Sequence, residues 1–215
     1  MRRFLRENGL SIALFGLFLV FLGAQSVTGF QVYNDDAASH GEPPIGYLAY
    51  LGSAHFVEAV FENWESEFLQ MAAFVLLTIA LKQKGSSESK PLEDKSENKP
   101  KAGKKSPWPV RQGGWIEKVY ENSLTIALAL LFVISFGLHA LGGAGQENRE
   151  RARHGEQPVG TLEYVGSSQF WFESFQNWQS EFLAVGVLIV LSIFLRQKGS
   201  PQSKEVEEPH AKTGT

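Results

Sequence analysis

Four stretches of the chain carry no charged residue: Leu10–Val27, Phe68–Leu81, Ser123–Leu138 and Phe182–Leu195. Within each, apolar residues occupy every helical face, and no wet side recurs every three or four residues. Such segments lie in lipid or are fully buried. A membrane span needs about 20 mostly apolar residues. Residues 10–29 and 122–141 meet that length. The second and fourth blocks do not. Phe68–Leu81 makes about 21 Å of helix at about 1.5 Å per residue, against a hydrocarbon core of about 30 Å. That helix crosses only if it starts near Phe61 and carries Trp64 and Glu67 into the membrane boundary. The same holds for Trp178 and Glu181. The pattern predicts an all-α protein with four transmembrane helices, at about 10–29, 61–82, 122–141 and 175–195. Sixteen Phe and five Trp weigh against four core helices of a soluble protein.

The pattern repeats. Glu7-Asn8-Gly9-Leu10-Ser11-Ile12-Ala13-Leu14 returns as Glu121-Asn122-Ser123-Leu124-Thr125-Ile126-Ala127-Leu128. Asn63-Trp64-Glu65-Ser66-Glu67-Phe68-Leu69 returns as Asn177-Trp178-Gln179-Ser180-Glu181-Phe182-Leu183, at the same offset of 114 (177 − 63). Self-similarity of this kind decides the architecture before anything else. The expected units are a first repeat over 1–84, a linker over 85–114, a second repeat over 115–198 and a tail over 199–215. Two spans per unit make the repeats parallel, related by a pseudo-two-fold axis along the membrane normal. Short interfacial helices are expected after each outer loop, at Tyr50-Leu51-Gly52-Ser53 and Tyr164-Val165-Gly166-Ser167, with Ser53 and Ser167 as N-caps. Met1-Arg2-Arg3 before an apolar run also reads as a secretory leader ending near Ala24-Gln25-Ser26. The mid-chain copy of that run favours a retained span.

Composition adjusts this picture little. The mean hydropathy of −0.13 is pulled down by the polar segments between the blocks. There is no cysteine, which excludes disulfides, thiolate nucleophiles and Cys-ligated metals. A net charge of −3, with no basic stripe, gives no reason to expect nucleic acid. Basic residues do set a topology. Arg2, Arg3 and Arg6 precede the first block, and Lys82 and Lys84 follow the second. Lys90, Lys95, Lys99, Lys101, Lys104, Lys105 and Arg111 fill the linker, and Arg196 and Lys198 follow the fourth block. Under the positive-inside tendency both termini are cytoplasmic. Arg149, Arg151 and Arg153 depart from that rule, alternating with Glu147, Glu150 and Glu156. Linker and tail, rich in Lys, Glu, Ser, Pro and Gly, bury too little apolar surface to fold.

The candidate polar motif is Asn63, Trp64, Ser66 and Glu67, with Asn177, Trp178, Ser180 and Glu181. Asn and Glu stand at i and i+4, on one helix face. Two readings remain open. Trp belongs to the interfacial aromatic belt and an early Glu favours the helix dipole; or the motif is a buried polar pair where the repeats meet. The outer loops share His-Gly-Glu. His40, Glu42, His154 and Glu156 would form a two-His, two-Glu metal site if the loops met. Gly and Pro beside them favour a turn instead, and no metal or other cofactor is expected. Gly16 and Gly23 share a face suited to close helix packing.

The run Arg3…Glu7-Asn8-Gly9-Leu10-Ser11, then Val32-Tyr33-Asn34, His40-Gly41-Glu42-Pro43-Pro44, Phe61-Glu62-Asn63-Trp64-Glu65-Ser66-Glu67-Phe68-Leu69-Gln70 and Gln83-Lys84-Gly85-Ser86 resembles an uncharacterised family of bacterial multi-span membrane proteins, a domain of unknown function present here as two tandem copies. The resemblance implies a bacterial inner-membrane protein and no activity. No catalytic constellation appears, so an enzyme is not expected. The favoured expectation is a structural or accessory membrane protein that packs against lipid, itself or other membrane proteins. The alternative is a small transporter or channel component using Glu67 and Glu181.

Overall fold

The computed structural model describes residues 2–91, 103 and 106–214. Lys95, Lys99, Lys101, Lys104 and Lys105 of the expected linker lie outside the described residues. Among those described there is no strand. The helices are α1 (Arg2–Ser39), α2 (Tyr47–Leu51), α3 (Ala54–Ala80), α4 (Trp108–Gln112), α5 (Gly114–Glu121), α6 (Ser123–Arg153), α7 (Thr161–Val165) and α8 (Ser168–Phe194). The 38 residues of α1 make about 57 Å at about 1.5 Å per residue. The helix therefore runs well past its apolar stretch at both ends.

Among the described residues, three helices are long and apolar enough to cross a membrane: Arg3–Ser39, Ser123–Arg153 and Ser168–Phe194. Four were expected, and α3 is the one that falls short. Its apolar block begins only at Phe68 and the helix ends at Ala80. Upstream it carries Glu58, Glu62, Glu65 and Glu67. In α8 the counterparts of Glu62 and Glu65 are Gln176 and Gln179. Within the block itself Gln70, Met71 and Ala73 stand where α8 has Ala184, Val185 and Val187, so α8 is the more apolar of the two and α3 falls short.

The chain divides into two compact units, Met1–Phe61 with Leu138–Ser167, and Glu62–Gly137 with Ser168–Thr215. Neither follows a single sequence copy. In the first unit α1 and α6 end alike. Gly41 and Gly155 take φ of 71° and 70°, and the next N–H returns to the helix, Glu42 N to Ala37 O and Glu156 N to Arg151 O, both at 2.9 Å. This glycine stop satisfies carbonyls the helix end would otherwise orphan. The following loops are held by one side chain each. Asn34 donates to Ile45 O at 3.2 Å and accepts from Ile45 N at 2.9 Å. Asn148 does the same with Val159, at 2.9 and 2.7 Å. The short helices α2 and α7 then bury Tyr50 and Tyr164. A Cβ on Gly29 or Gly143 would overlap the ring of Tyr50 or Tyr164 respectively. Ser53 Oγ accepts from Phe56 N at 3.2 Å and so caps α3.

The glycines that bring helices close are Gly142 and Gly145. A Cβ on Gly142 would lie 2.5 Å from Glu58 N, and one on Gly145 2.6 Å from Ala54 Cβ. Gly16 and Gly23 pack against nothing within 4 Å, contrary to expectation.

The second unit gathers Phe132, Phe136, Phe170, Trp171, Phe175 and Trp178 edge to face. Its polar segments are more ordered than their composition predicts. Gly85 N donates to Thr213 Oγ1, and Gly214 N to Ser86 O, both at 2.9 Å. Ser86 Oγ meets Ser192 Oγ at 2.9 Å. The buried Lys204 ammonium donates to the carbonyls of Pro209, His210 and Lys212. Serine and lysine side chains satisfy backbone here in place of an apolar core. Helix α4 likewise lies where an unstructured tether was expected.

Candidate functional site

Within the second unit, polar residues of α3 meet polar residues of α8. Asn177 Nδ2 donates to Glu62 Oε1. Trp178 Nε1 donates to Glu65 Oε1 at 3.0 Å, and Glu65 is 0% exposed. Both helices contain the Asn-Trp-x-Ser-Glu motif, but they contribute different parts of it. The second copy supplies Asn177 and Trp178. The first supplies Glu62, just before its motif, and Glu65, the unassigned x. Ser66 Oγ and Ser180 Oγ each donate to a carbonyl of their own helix, Asn63 O and Asn177 O, at 2.8 Å. They shape their helices rather than bridge them. Asn63 is exposed and Trp64 half-buried.

Glu67 is exposed and Glu181 half-buried, with Glu67 within electrostatic reach of Glu181. The carboxylate that is sealed from water is Glu65, a position the repeat comparison passes over. The signal that would have found it is a difference between the copies. Glu62 and Glu65 are acids where copy two has Gln176 and Gln179. Burying a carboxylate is costly unless it is hydrogen-bonded, and the indole N–H meets part of that need.

The first unit holds an ion cluster between α6 and the end of α1. Arg153 donates to Glu42 Oε1 at 2.7 Å, Asp36 Oδ2 at 2.6 Å and Glu150 Oε2 at 3.1 Å. Arg149 reaches Glu42 Oε2 at 2.6 Å, and its guanidinium lies 3.9 Å above the Tyr33 ring. Hydrogen bonds from Arg153, then Arg149, hold the Glu42 carboxyl down at about 2. Beneath them His55 accepts or donates at Tyr50 Oη over 3.2 Å. Burial, then the charge of Arg149, pushes the His55 imidazole below its ordinary value.

The four outer-loop residues do not converge. His40 Nδ1 faces Asp36 O at 2.9 Å, and His154 Nδ1 faces Glu150 O at 3.0 Å. Each histidine is turned onto its own helix. Glu42 is taken by the arginines, and Glu156 pairs with Arg151 at 3.3 Å. Among the described residues no three His, Asp or Glu side chains come together as a metal site. Of the arginines that break the charge rule in sequence, Arg149 and Arg153 are thus the partners of Asp36 and Glu42, while Arg151 pairs with Glu147 and Glu156.

No curated protein and no solved structure matches the chain. The family described as Domain of unknown function (DUF6766) matches residues 1–215, and the chain belongs to it.

Proposed function

We propose that this is a structural or accessory integral membrane protein, built from two tandem two-helix copies that hold each other through polar side chains and face lipid and neighbouring membrane chains with apolar ones. The observation that carries this reading is where the polar atoms go. Asp36 and Glu42 engage Arg149 and Arg153 in the first unit. Glu62 and Glu65 engage Asn177 and Trp178 in the second. Each pairing ties the first half of the chain to the second. Large apolar side chains remain uncovered around α1, among them Leu10, Leu14, Phe15, Leu19 and Phe21. A helix apolar on all sides fits lipid or a partner helix.

The distribution of basic residues supports a bacterial inner membrane with both termini cytoplasmic. That topology makes α3 cross beside α8, its two central acids shielded by Asn177 and Trp178. No nucleic acid, cofactor or catalytic role enters the proposal. The test is purification from native membranes in mild detergent. Recovery as an assembly, with itself or with other membrane proteins, is expected; a lone monomer refutes the reading.

A second reading rests on the matched acids Glu67 and Glu181 of α3 and α8, of which Glu181 is half-buried. Paired carboxylates near a membrane boundary would pass a cation or proton in a small transporter or channel component. Liposome flux that is unchanged by Glu67→Gln with Glu181→Gln eliminates it.

A further inference from the structure

The second unit contains a cavity of about 460 Å³ between α3 and α8, inside the range of about 300–1,000 Å³ typical of small-molecule sites. Its walls are Phe74 and Leu77 from one face of α3, Leu81 just past its end, and Phe182, Val185 and Ile189 from one face of α8. Gly186 opens the gap between them. A Cβ there would meet nothing within 4 Å, and the first copy has Ala72 at the matching position. The far end is polar and lies in the segment that follows α3, where Ser86, Glu88 and Ser89 line the space.

Glu88 is the acid of this lining and Lys82 its base. They do not neutralise each other: Lys82 Nζ donates to Pro91 O at 3.0 Å. With its amide nitrogen facing the acid, Gln202 donates to Glu88 Oε1 at 2.6 Å. No cation among the described residues forms an ion pair with Glu88. Burial raises the Glu88 carboxyl above its ordinary value, so a bound positive charge would be favoured there.

We propose that this cavity binds a lipophilic organic cation, with its apolar body between α3 and α8 and its charged end against the Glu88 carboxylate. The walls exclude a small hydrated ion, which would lose its water against six apolar side chains. An apolar body recovers that burial, and the Phe74 and Phe182 rings suit a diffuse positive charge. A neutral alkyl chain would fill the walls but leave Glu88 unanswered. An anion would meet it as a like charge. The site stands whether or not the chain transports anything, and its failure would leave the association test above untouched.

The test is equilibrium binding to the full chain in zwitterionic nanodiscs, with tetraphenylphosphonium and its isosteric anion tetraphenylborate as probes. Saturable phosphonium binding is expected, with the borate weaker by about tenfold or more, since a like charge replaces an attractive one. Glu88→Gln keeps the shape and lowers phosphonium affinity about tenfold. Gly186→Leu projects into open space, leaves the helices folded by thermal unfolding, and abolishes binding. Equal binding of the two ions overturns the proposal. So does phosphonium affinity unchanged by Glu88→Gln, or retained by Gly186→Leu.

Discussion

At the scale of single residues the sharpest feature is a carboxylate sealed from water and held by an indole. Trp178→Phe keeps the ring stacking with Phe175 and Trp171 but removes the donor to Glu65. The expected loss is about 0.6–2 kcal/mol, the range for polar contacts between membrane helices, read from unfolding in detergent. Glu65→Gln should cost less, because an amide oxygen still accepts the indole N–H. Glu42 makes a pH prediction of definite sign. Its carboxyl titrates at about 2 when folded, against 4.5 ordinarily. Between those values the unfolded chain binds the proton more readily, so stability rises with pH. The contribution is complete above about 4.5 and is lost as pH falls through about 2. Glu42→Gln should flatten the unfolding midpoint over that window; an unchanged slope would refute the assignment. Neither residue stands out in the sequence. Glu65 occupies the variable place of a repeated motif, and whether it is buried depends on the rotation of α3, which a uniformly apolar block does not set. Glu42 meets arginines more than a hundred positions away, a pairing that no local spacing shows.

The elements themselves were largely legible. Blocks without charge became the middle of α1, the first half of α6 and the second halves of α3 and α8, and the Gly of each His-Gly-Glu loop became a helix stop. Legibility failed where a helix outruns its apolar block, as α1 does, and where polar segments order through side-chain hydrogen bonds, as residues 85–89 do. It failed too for helix packing, because spacing alone does not tell a glycine against a neighbour from one with open space beside it. That difference is testable. Gly142→Leu drives a side chain into the backbone of α3 and should sharply reduce folded yield, since overpacking typically costs about 1–3 kcal/mol and the obstacle here is backbone. Gly16→Leu and Gly23→Leu should leave yield and melting temperature nearly unchanged. Equal damage from all three would show that the close approach is not where α6 and α3 meet.

At the scale of the whole molecule the two matching stretches of sequence are not equivalent. Glu62 and Glu65 stand where α8 has Gln176 and Gln179, and Gln70 where α8 has Ala184, and among the described residues α8 is apolar enough to cross a membrane while α3 is not. On the proposed topology, a reporter fused after Thr215 is active only on the cytoplasmic side; activity only on the far side would refute it. The unequal copies also bear on biosynthesis. Helix α8 emerges from the ribosome last among the long helices, long after α3 has been made. A segment with four glutamates in its first half is a poor substrate for insertion by itself, since a charge at the centre of a span opposes entry by about 2.5–3.5 kcal/mol. On the proposed topology, membrane entry of α3 therefore waits for the helix that supplies Asn177 and Trp178. A chain stopped at Ser167 should leave α3 accessible to a water-soluble thiol label at an introduced Leu76→Cys, whereas the full chain should protect it.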